Sequence, residues 1–474
     1  MLRRAEPSEA NPTTLLWSFK GCRPRIHLRS GDAWLATQEG KILFGIFEEE
    51  KVDLKPLSYN KIEQLIRKGV NIPTPLTIDV GDEVNIDQIS GNGVKIYPGC
   101  RIYGEKTVIS EGVQLGYEAP VTLEDCQLGP KVELKGGYYK KSVFLEKANM
   151  GFGGHIREAC LLEEQANGAH CVGLKHTILF PFVTLGSLIN FCDCLMAGGT
   201  SRKDHSEVGS SYIHFNFTPE GDKTTASLIG DVPRGVMLNK PPIFLGGQGG
   251  MVGPLRMSYG NVVAAGSVLR EDVDMEKQLI VSKSNSGKVV DLIPRAYPSL
   301  PRVVENNIIY ITNLIALEQW YLHVRRMFFE HQEFGHLIFT AILENLQIAK
   351  EERIKRLKDM AAKMLVSSDK EKGRTKIIRA KQEFFEKGKW LEELLTSDAG
   401  KTAGEEKRDP FLNVLVKHRE EHGGNYIEVI QSLPPSVSRG GTQWLDAIVH
   451  LICGQAGKVL PSLNRFKKYR SNLV

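Results

Sequence analysis

The sequence predicts a mainly β fold, a left-handed parallel β-helix of the hexapeptide-repeat kind over residues 72–290. A small mixed region precedes it and an α-helical extension follows it. Two observations predict the β-helix. The range is rich in glycine and in short runs of valine, isoleucine and leucine, without helical periodicity. Apolar residues also recur there at a spacing of six, in the series Ile96, Ile102 and Val108; Ile156 and Leu162; Val183, Ile189 and Leu195; and Met251, Met257 and Val263.

Each hexapeptide of such a repeat forms one flat side of a three-sided coil, with its apolar residue pointing inward. The corners need small residues because the chain bends tightly there, and residues 97–99 and 112–116 supply them. Stacked coils bury a continuous ladder of aliphatic side chains that one coil could not bury alone. We expect the segments Gly136–Lys141 and Phe215–Thr225 to project as loops. An antiparallel sandwich is the structural alternative, and it fits the six-residue period less well.

The flanking regions have different patterns. In residues 1–71 we predict strands at Trp34–Ala36 and Lys41–Phe44 and a short amphipathic helix at Tyr59–Lys68. Residues 302–474 form the predicted helical extension, with amphipathic helices at Ile338–Leu365 and Lys376–Leu395 and a loop from Ser397 to Asp409. Apolar residues three and four positions apart predict a packed helical seam at its start: Leu314, Leu317, Tyr321, Val324 and Phe328.

Composition limits the class of protein. The 474 residues carry a formal net charge of only +5, from 61 basic and 56 acidic side chains. Without a tight basic stripe interleaved with aromatic residues, this balance argues against nucleic-acid binding. No stretch of about 18 apolar residues predicts a membrane span, and the N-terminus does not read as a secretory signal. The eight cysteines show no disulfide spacing, so we expect a cytoplasmic protein.

A metal site is not predicted either. Cys192 and Cys194, with His205 nearby, match no common zinc spacing, and cysteines of this kind are more often small buried side chains.

The most specific motifs follow one another between residues 208 and 272. They are Ile-His-Phe-Asn-Phe at 213–217, Ser-Leu-Ile-Gly-Asp at 227–231, Met-Val-Gly-Pro at 251–254 and Val-Ala-Ala-Gly-Ser-Val at 263–268. This ordered series resembles the C-terminal acetyltransferase half of the bifunctional N-acetylglucosamine-1-phosphate uridyltransferase/glucosamine-1-phosphate acetyltransferase family. The resemblance is clearest from His155 to Lys283.

That resemblance implies an acyltransferase that uses acetyl-CoA as co-substrate and acts on a sugar phosphate or nucleotide sugar, as in UDP-N-acetylglucosamine biosynthesis. It also implies a homotrimer with sites between coils of adjacent subunits. The uridyltransferase half is not expected, because residues 1–72 contain no glycine-rich phosphate loop of the kind that such a domain needs.

Site residues can be carried over from the family position by position. Arg157 and Lys175 match an arginine and a lysine that hold the sugar phosphate, and a guanidinium suits this task because its fork meets phosphate oxygens bidentately. Lys223 resembles a lysine that follows the cofactor loop. Asn190 stands where the family has a tyrosine and is expected to face the substrate. The expected cofactor contacts are Asn216, Phe217, Gly247, Ala264 and Ala265, since small side chains let the pantetheine arm approach the backbone.

One departure bears on catalysis. The family's general base is a histidine, and Ser187 replaces it here, although acyl transfer to an amine needs a group that removes a proton. His205 and His214 are the candidate substitutes, and Asp204 and Glu207 could orient His205. We therefore favour an enzyme, with a non-catalytic β-helix scaffold or a sugar-nucleotide-binding protein as the alternatives.

Overall fold

The computed structural model describes residues 58–215, 221–282, 289, 296–365 and 375–470 of the chain. These residues belong to one compact unit, Lys55–Val474. The predicted fold class is confirmed: a parallel β-helix is followed by a helical region. The strands predicted at Trp34–Ala36 and Lys41–Phe44 lie outside the described residues. The domain bounds 72–290 and 302–474 stay a prediction.

Short strands, mostly of two to four residues, build the coil. In chain order they are β1 Asp79–Val80, β2 Lys95–Ile96, β3 Arg101–Tyr103, β4 Val108–Ile109, β5 Gln114–Leu115, β6 Val121–Glu124, β7 Gln127–Leu128, β8 Glu133–Leu134, β9 Gly137–Lys140, β10 Ser142–Phe144, β11 Asn149–Met150, β12 Gly154–Arg157, β13 Cys160–Leu162, β14 Asn167–Gly168, β15 Val172–Leu179, β16 Thr184–Leu185, β17 Ile189–Met196, β18 Gly199–Ser201, β19 Asp204–His205, β20 Glu207–Val208, β21 Ile213–Phe215, β22 Ser227–Ile229, β23 Phe244–Leu245, β24 Gly250–Val252, β25 Arg256–Met257, β26 Val262–Val263, β27 Val268–Leu269 and β28 Leu279–Ile280.

The strands pair into three parallel ladders, which are the walls of the coil. The first wall is β2-β5-β8-β11-β14-β16-β20-β23-β26-β28, and the second is β1-β3-β6-β9-β12-β15-β17-β21-β24-β27. The third wall runs β4-β7-β10-β13-β15-β17 and continues through β22 and β25. The eight-residue strands β15 and β17 bend around a corner and serve two walls. Partners in adjacent coils lie about three hexapeptides apart, as Val143 with Leu161 shows.

Apolar side chains fill the inside of the coil. Every residue of the four six-residue series is buried, including Ile96, Leu162 and Leu195, which are fully inaccessible. The expectation of a loop at Gly136–Lys141 was wrong. Strand β9 occupies this segment and pairs with β6 and β12, because Tyr139 points into the coil as an aliphatic residue would.

One described helix precedes the coil, a short one lies between two of its strands, and the others follow it. The helices are α1 Tyr59–Lys68, α2 Val232–Gly235, α3 Leu300–Trp320, α4 Arg326–Phe329, α5 Gly335–Ala362, α6 Thr375–Glu386, α7 Gly388–Thr396, α8 Ala399–Thr402, α9 Glu405–His422, α10 Tyr426–Gln431, α11 Pro435–Val459 and α12 Lys467–Arg470. A π-helical turn, Tyr321–Arg325, joins α3 to α4. None of the described helices is long and apolar enough to cross a membrane.

The helix predictions are largely confirmed. The helix at Tyr59–Lys68 is present, and all five residues of the predicted seam are buried. The segment Lys376–Leu395 is not one helix, because it breaks between α6 and α7 near Gly388. The loop predicted from Ser397 to Asp409 was wrong, since α8 and the first turns of α9 occupy most of it.

The helical region packs on the third wall. Helix α5 lies against β7, β10 and β13, and α3 lies against β22. Polar side chains fasten this packing: Asn345 donates to the carbonyl oxygen of Cys160 at 3.3 Å, and Asn307 donates to that of Thr224 at 3.0 Å. Helices therefore cover part of the third wall, and the sites predicted from the sequence have to be sought on the other walls and corners.

Candidate functional site

Two cationic side chains stand next to each other on the outside of the second wall. Arg157 in β12 is in register with Lys175 in β15. Arg157 is exposed and forms no ion pair with any residue that the structure describes. Lys175 is half-buried, and its Nζ lies 3.3 Å from Oε2 of Glu158. One free guanidinium and one ammonium thus share a patch of wall that can receive a doubly charged anion.

Asn190 lies on the same wall in the next coil. It is exposed, and its neighbours in register are Gly173 in β15 and Ile213 in β21. Cys192, two residues further, pairs with Lys175 and places its Sγ 4.0 Å from Oδ1 of Asn190. The structure therefore places Arg157, Lys175 and Asn190 on neighbouring strands of one wall.

Both cations act electrostatically on this part of the wall. Burial raises the pKa of the Cys192 thiol and the charge of Asp193 raises it further, whereas Arg157 and Lys175 oppose the shift. The positive field of the pair thus reaches across two coils, which favours an anionic ligand at this position.

A hydrogen-bonded serine and histidine lie at the corner between the first and second walls. Oγ of Ser187 is 2.9 Å from Nδ1 of His170, seventeen residues earlier in the chain. Seventeen residues are one coil here, so the two side chains are stacked one above the other. His170 is exposed, and Ser187 is half-buried just before the strand that carries Asn190. His170 was not singled out from the sequence, because coil lengths differ along the chain and the motif alone does not show which residue stacks on Ser187.

Small residues continue this corner along the axis of the coil. The backbone N–H of Ser187 donates to Oγ of Ser210 at 3.2 Å, and in the next coil the N–H of Gly266 donates to the carbonyl oxygen of Gly247 at 2.9 Å. Ala264 is half-buried and Ala265 is exposed. We call Ser187, Ser210, Gly247, Ala264 and Ala265 the small-residue corner.

Close packing explains why glycine is needed within this corner. A Cβ atom on Gly209 would lie 2.4 Å from the backbone nitrogen of Gly247, and one on Gly246 would lie 2.4 Å from that of Ala265. Real Cβ atoms do not approach backbone that closely, so the stacking of adjacent coils excludes side chains here. This corner therefore lacks large side chains where it borders the wall that carries Arg157 and Lys175.

The two histidines predicted as bases occupy other places. His214 is buried, and its ring nitrogens lie 2.7 Å from the carbonyl oxygen of Cys192 and 2.8 Å from Oγ of Ser227. Burial lowers the pKa of His214 to about 4, although Asp193 and a backbone hydrogen bond oppose the shift. His214 is therefore neutral near pH 7, with both nitrogens already in hydrogen bonds.

His205 lies on the β18–β19 hairpin, between the third and first walls, and so at a different corner from Ser187. Its Nε2 is 3.8 Å from Oε2 of Glu207, as the sequence suggested, while its buried Nδ1 has no hydrogen-bond partner among the described residues. Within one chain, His205 and the Arg157–Lys175 patch belong to different parts of the coil.

The predicted cofactor loop is only partly described. Asn216 and Phe217 lie outside the described residues. Lys223 is exposed, and its carbonyl oxygen accepts a hydrogen bond from Nη1 of Arg353 at 2.9 Å. Helix α5 thus fastens the end of this loop to the third wall.

Comparison with known proteins gives one consistent result. The sequence matches no protein-family profile. Among curated proteins it is similar to "Bifunctional protein GlmU" of Thermotoga maritima, 27% identical over 218 residues, which are 46% of this chain and 43% of that protein. The GlmU protein of Carboxydothermus hydrogenoformans is 25% identical over 233 residues, 49% of this chain and 46% of its own. The GlmU protein of Fervidobacterium nodosum is 27% identical over 212 residues, which are 45% of this chain and 41% of that protein.

The chain thus spans less than half the length of the curated relatives that it matches. Its parallel β-helix agrees with the part of the family that the sequence motifs indicated. Over about half of its length, this chain resembles the bifunctional GlmU proteins, in the β-helical acetyltransferase half.

Proposed function

We propose that this chain transfers an acyl group from acyl-CoA, with acetyl-CoA as the expected donor, to a sugar phosphate. The observation that carries the proposal is the position of the Arg157–Lys175 pair on the wall beside the small-residue corner. A phosphate on the wall and a thioester along the corner would bring the two substrates together near Ser187 and His170.

The cationic pair supports phosphate binding. Arg157 has a free guanidinium that can meet two phosphate oxygens, and Lys175 adds a point charge from the adjacent strand. Asn190 in the next coil offers an amide to a sugar hydroxyl. A phosphate rather than a carboxylate is favoured, because it offers more oxygens to the free guanidinium of Arg157 and to Lys175, which is shared with Glu158.

The small-residue corner supports a pantetheine path. Gly247, Ala264 and Ala265 leave the backbone accessible where larger side chains would cover it. The exposed, apolar Leu188 flanks the same corner and gives an extended thiol arm an apolar contact. Asn216 and Phe217 stay proposed contacts on the strength of the sequence motif alone.

For the base, we propose His170 acting together with Ser187. When Nδ1–H of His170 donates to Oγ of Ser187, Nε2 keeps its lone pair and can accept the proton of the attacking group. The new bond to the acyl carbon then forms as the C–S bond of the thioester breaks, and the leaving thiolate takes the proton back from the histidine. His205 stays a second candidate, contributed across a subunit contact, and His214 is the least suited because both of its nitrogens are engaged.

We also propose self-association as a homotrimer, through exposed apolar side chains. Phe244, Val262 and Leu279 lie in register on three successive strands of the first wall, and each is at least 39% exposed. A row of this kind is suited to burial against a second copy of the chain. Sites shared between subunits would then follow, as the resemblance implies.

The experiment is a thiol-release assay on the full chain with acetyl-CoA and glucosamine 1-phosphate, paired with thermal shifts for each ligand. The expected result is release of CoA that depends on the sugar phosphate, with both ligands raising the melting temperature. An Arg101→Ala variant is the matched control for substitution of Arg157, because Arg101 is an exposed arginine on the same wall in an earlier coil. Absence of both turnover and ligand shifts would overturn the proposal.

A non-catalytic scaffold is the second candidate, and one observation favours it. The side chain of Asp193 in β17 is paired with Arg353 of α5 at 2.9 Å, so helices cover part of the coil surface and make it less accessible to substrates. The thermal shifts separate the two functions, since a scaffold has no reason to bind acetyl-CoA.

A further inference from the structure

Three residues of metal-binding types meet at the end of α9, away from the coil. They are His418, Glu421 and His422, and they form the sequence His-x-x-Glu-His. On a helix, residues three and four positions apart share a face. One potential ligand atom from each of the three residues lies within 4.8 Å of those of the other two.

Hydrogen bonds orient the first of the two imidazoles. The hydroxyl of Ser432 donates to the carbonyl oxygen of Glu428 at 2.7 Å, so its Oγ is an acceptor for Nε2–H of His418 at 2.8 Å. Nδ1 of His418 is then left as an unprotonated nitrogen with a lone pair. Metal-binding histidines are commonly oriented in this way, through the nitrogen that does not bind the metal.

The second imidazole is oriented by the backbone. Nδ1–H of His422 donates to the carbonyl oxygen of His418 at 2.9 Å, which leaves Nε2 as the unprotonated nitrogen. The two rings stack with their centres 3.9 Å apart. Each ring thus holds one fixed N–H and one free lone pair, as required for neutral imidazole ligands.

We propose that His418, Glu421 and His422 bind a divalent transition metal, of which zinc is the expected ion. Two neutral imidazoles and one carboxylate suit zinc, nickel or copper and not magnesium or calcium, which prefer oxygen ligands. Water would complete a tetrahedral site. Glu421 is exposed, so rotation of its side chain can bring the carboxylate to bonding distance without displacing a buried residue.

The hydrogen bond between His418 and Ser432, which directly follows α10, joins the proposed site to that helix.

Zinc chloride titrated into the chelator-treated full chain, followed by calorimetry, tests the proposal. We expect one equivalent to bind, with a higher melting temperature and no competition from excess magnesium. His422→Ala and Glu421→Gln should each weaken zinc binding by at least about tenfold. Both residues are exposed, so both variants should fold, and unchanged circular dichroism would verify this.

Four further measurements separate this site from others. His336→Ala removes an exposed histidine elsewhere and should leave zinc affinity unchanged, as should Cys171→Ser, which removes an exposed thiol. Ser432→Ala should weaken binding by about tenfold through the orientation of His418. Cobalt(II) should give visible d–d bands without the charge-transfer bands of thiolate ligands.

Failure of zinc to bind, or equal affinity of the wild type and His422→Ala, would overturn the proposal. None of these outcomes depends on acyl transfer.

Discussion

Oδ1 of Asp193 lies 2.9 Å from Nη2 of Arg353, and this ion pair joins the β-helix to α5. Both side chains are buried, with Arg353 only 2% exposed. His176 adds a second contact to the same carboxylate oxygen at 3.2 Å. Burial by itself would raise the pKa of Asp193, but Arg353 and His176 outweigh it and hold that pKa below its usual value.

Removing the arginine should be strongly destabilising. Arg353→Met leaves the Asp193 carboxylate buried without its main partner, and we expect a loss of about 3–5 kcal/mol in the free energy of unfolding, measured by urea denaturation. Lys389→Ala, which breaks the exposed pair with Glu393, is the control and should have a much smaller effect. The double variant Arg353→Met with Asp193→Asn should recover part of the loss. Equal effects of Arg353→Met and Lys389→Ala would show that the buried pair does not join the two parts.

Substitution of the cationic pair tests phosphate binding. Arg157→Ala should raise the KM for the sugar phosphate about ten- to a hundredfold, because a charge-assisted hydrogen bond contributes about 1.5–3 kcal/mol. Arg157→Lys should recover only part of the affinity, since it lacks the bidentate fork. Lys175→Ala should act in the same direction, and Arg101→Ala should leave the KM unchanged. If the KM responded to Arg101 as much as to Arg157, the patch would not be the phosphate site.

Steady-state kinetics of the histidine variants identify the base. His170→Ala should lower kcat by at least about a hundredfold. Ser187→Ala should have a smaller effect, because it removes the orienting hydrogen bond and leaves the imidazole. His205→Ala serves as the comparison. A large loss in His205→Ala with normal turnover in His170→Ala would assign the base to His205.

The buried His214 gives the stability a pH dependence. Its pKa is about 4 in the folded protein and about 6.5 when unfolded, so the unfolded chain binds the proton first as the pH falls. Stability is therefore full above about pH 6.5 and falls by up to about 3 kcal/mol as the pH approaches 4. His214→Gln should remove this contribution. Denaturation of the wild type and of His214→Gln at pH 7, 5.5 and 4.5 measures this contribution. If the free energy of unfolding fell equally with pH in the two proteins, the buried, neutral state of His214 would be contradicted.

A larger side chain at the exposed Ala265 tests the pantetheine path. Ala265→Leu should weaken acetyl-CoA binding at least about tenfold by covering the corner, while the melting temperature stays nearly unchanged because the side chain points to solvent. Glu111→Leu, an exposed substitution in an early coil, is the matched control. Acetyl-CoA affinity that is the same in both variants would place the cofactor elsewhere.

Much of the fold could be predicted from the sequence, because the six-residue period of Ile96, Ile102 and Val108 directly reflects the inward-facing positions of a coil. The segment at Gly136–Lys141 was misread because its inward residue is Tyr139, an aromatic side chain that does not fit an aliphatic pattern. The break between α6 and α7 was also missed, since the amphipathic pattern continues through Gly388.

The roles of the candidate site residues stay predictions. That Arg157 and Lys175 lie side by side could be predicted, because they are separated by about one coil. The contact between Ser187 and His170 depends on coil lengths that vary along the chain, so the pairing of individual residues could not be predicted from the motif alone. The burial of His214 depends on its contacts with Cys192 and Ser227, which lie in neighbouring strands of the coil and not in the motif that contains His214.

A crystal structure with acetyl-CoA bound tests the central claim most directly. The account predicts electron density for the pantetheine arm along Gly247, Ala264 and Ala265, with the thioester near Ser187 and His170. Acetyl-CoA bound at a different part of the coil, or no binding at saturating concentration, would contradict it.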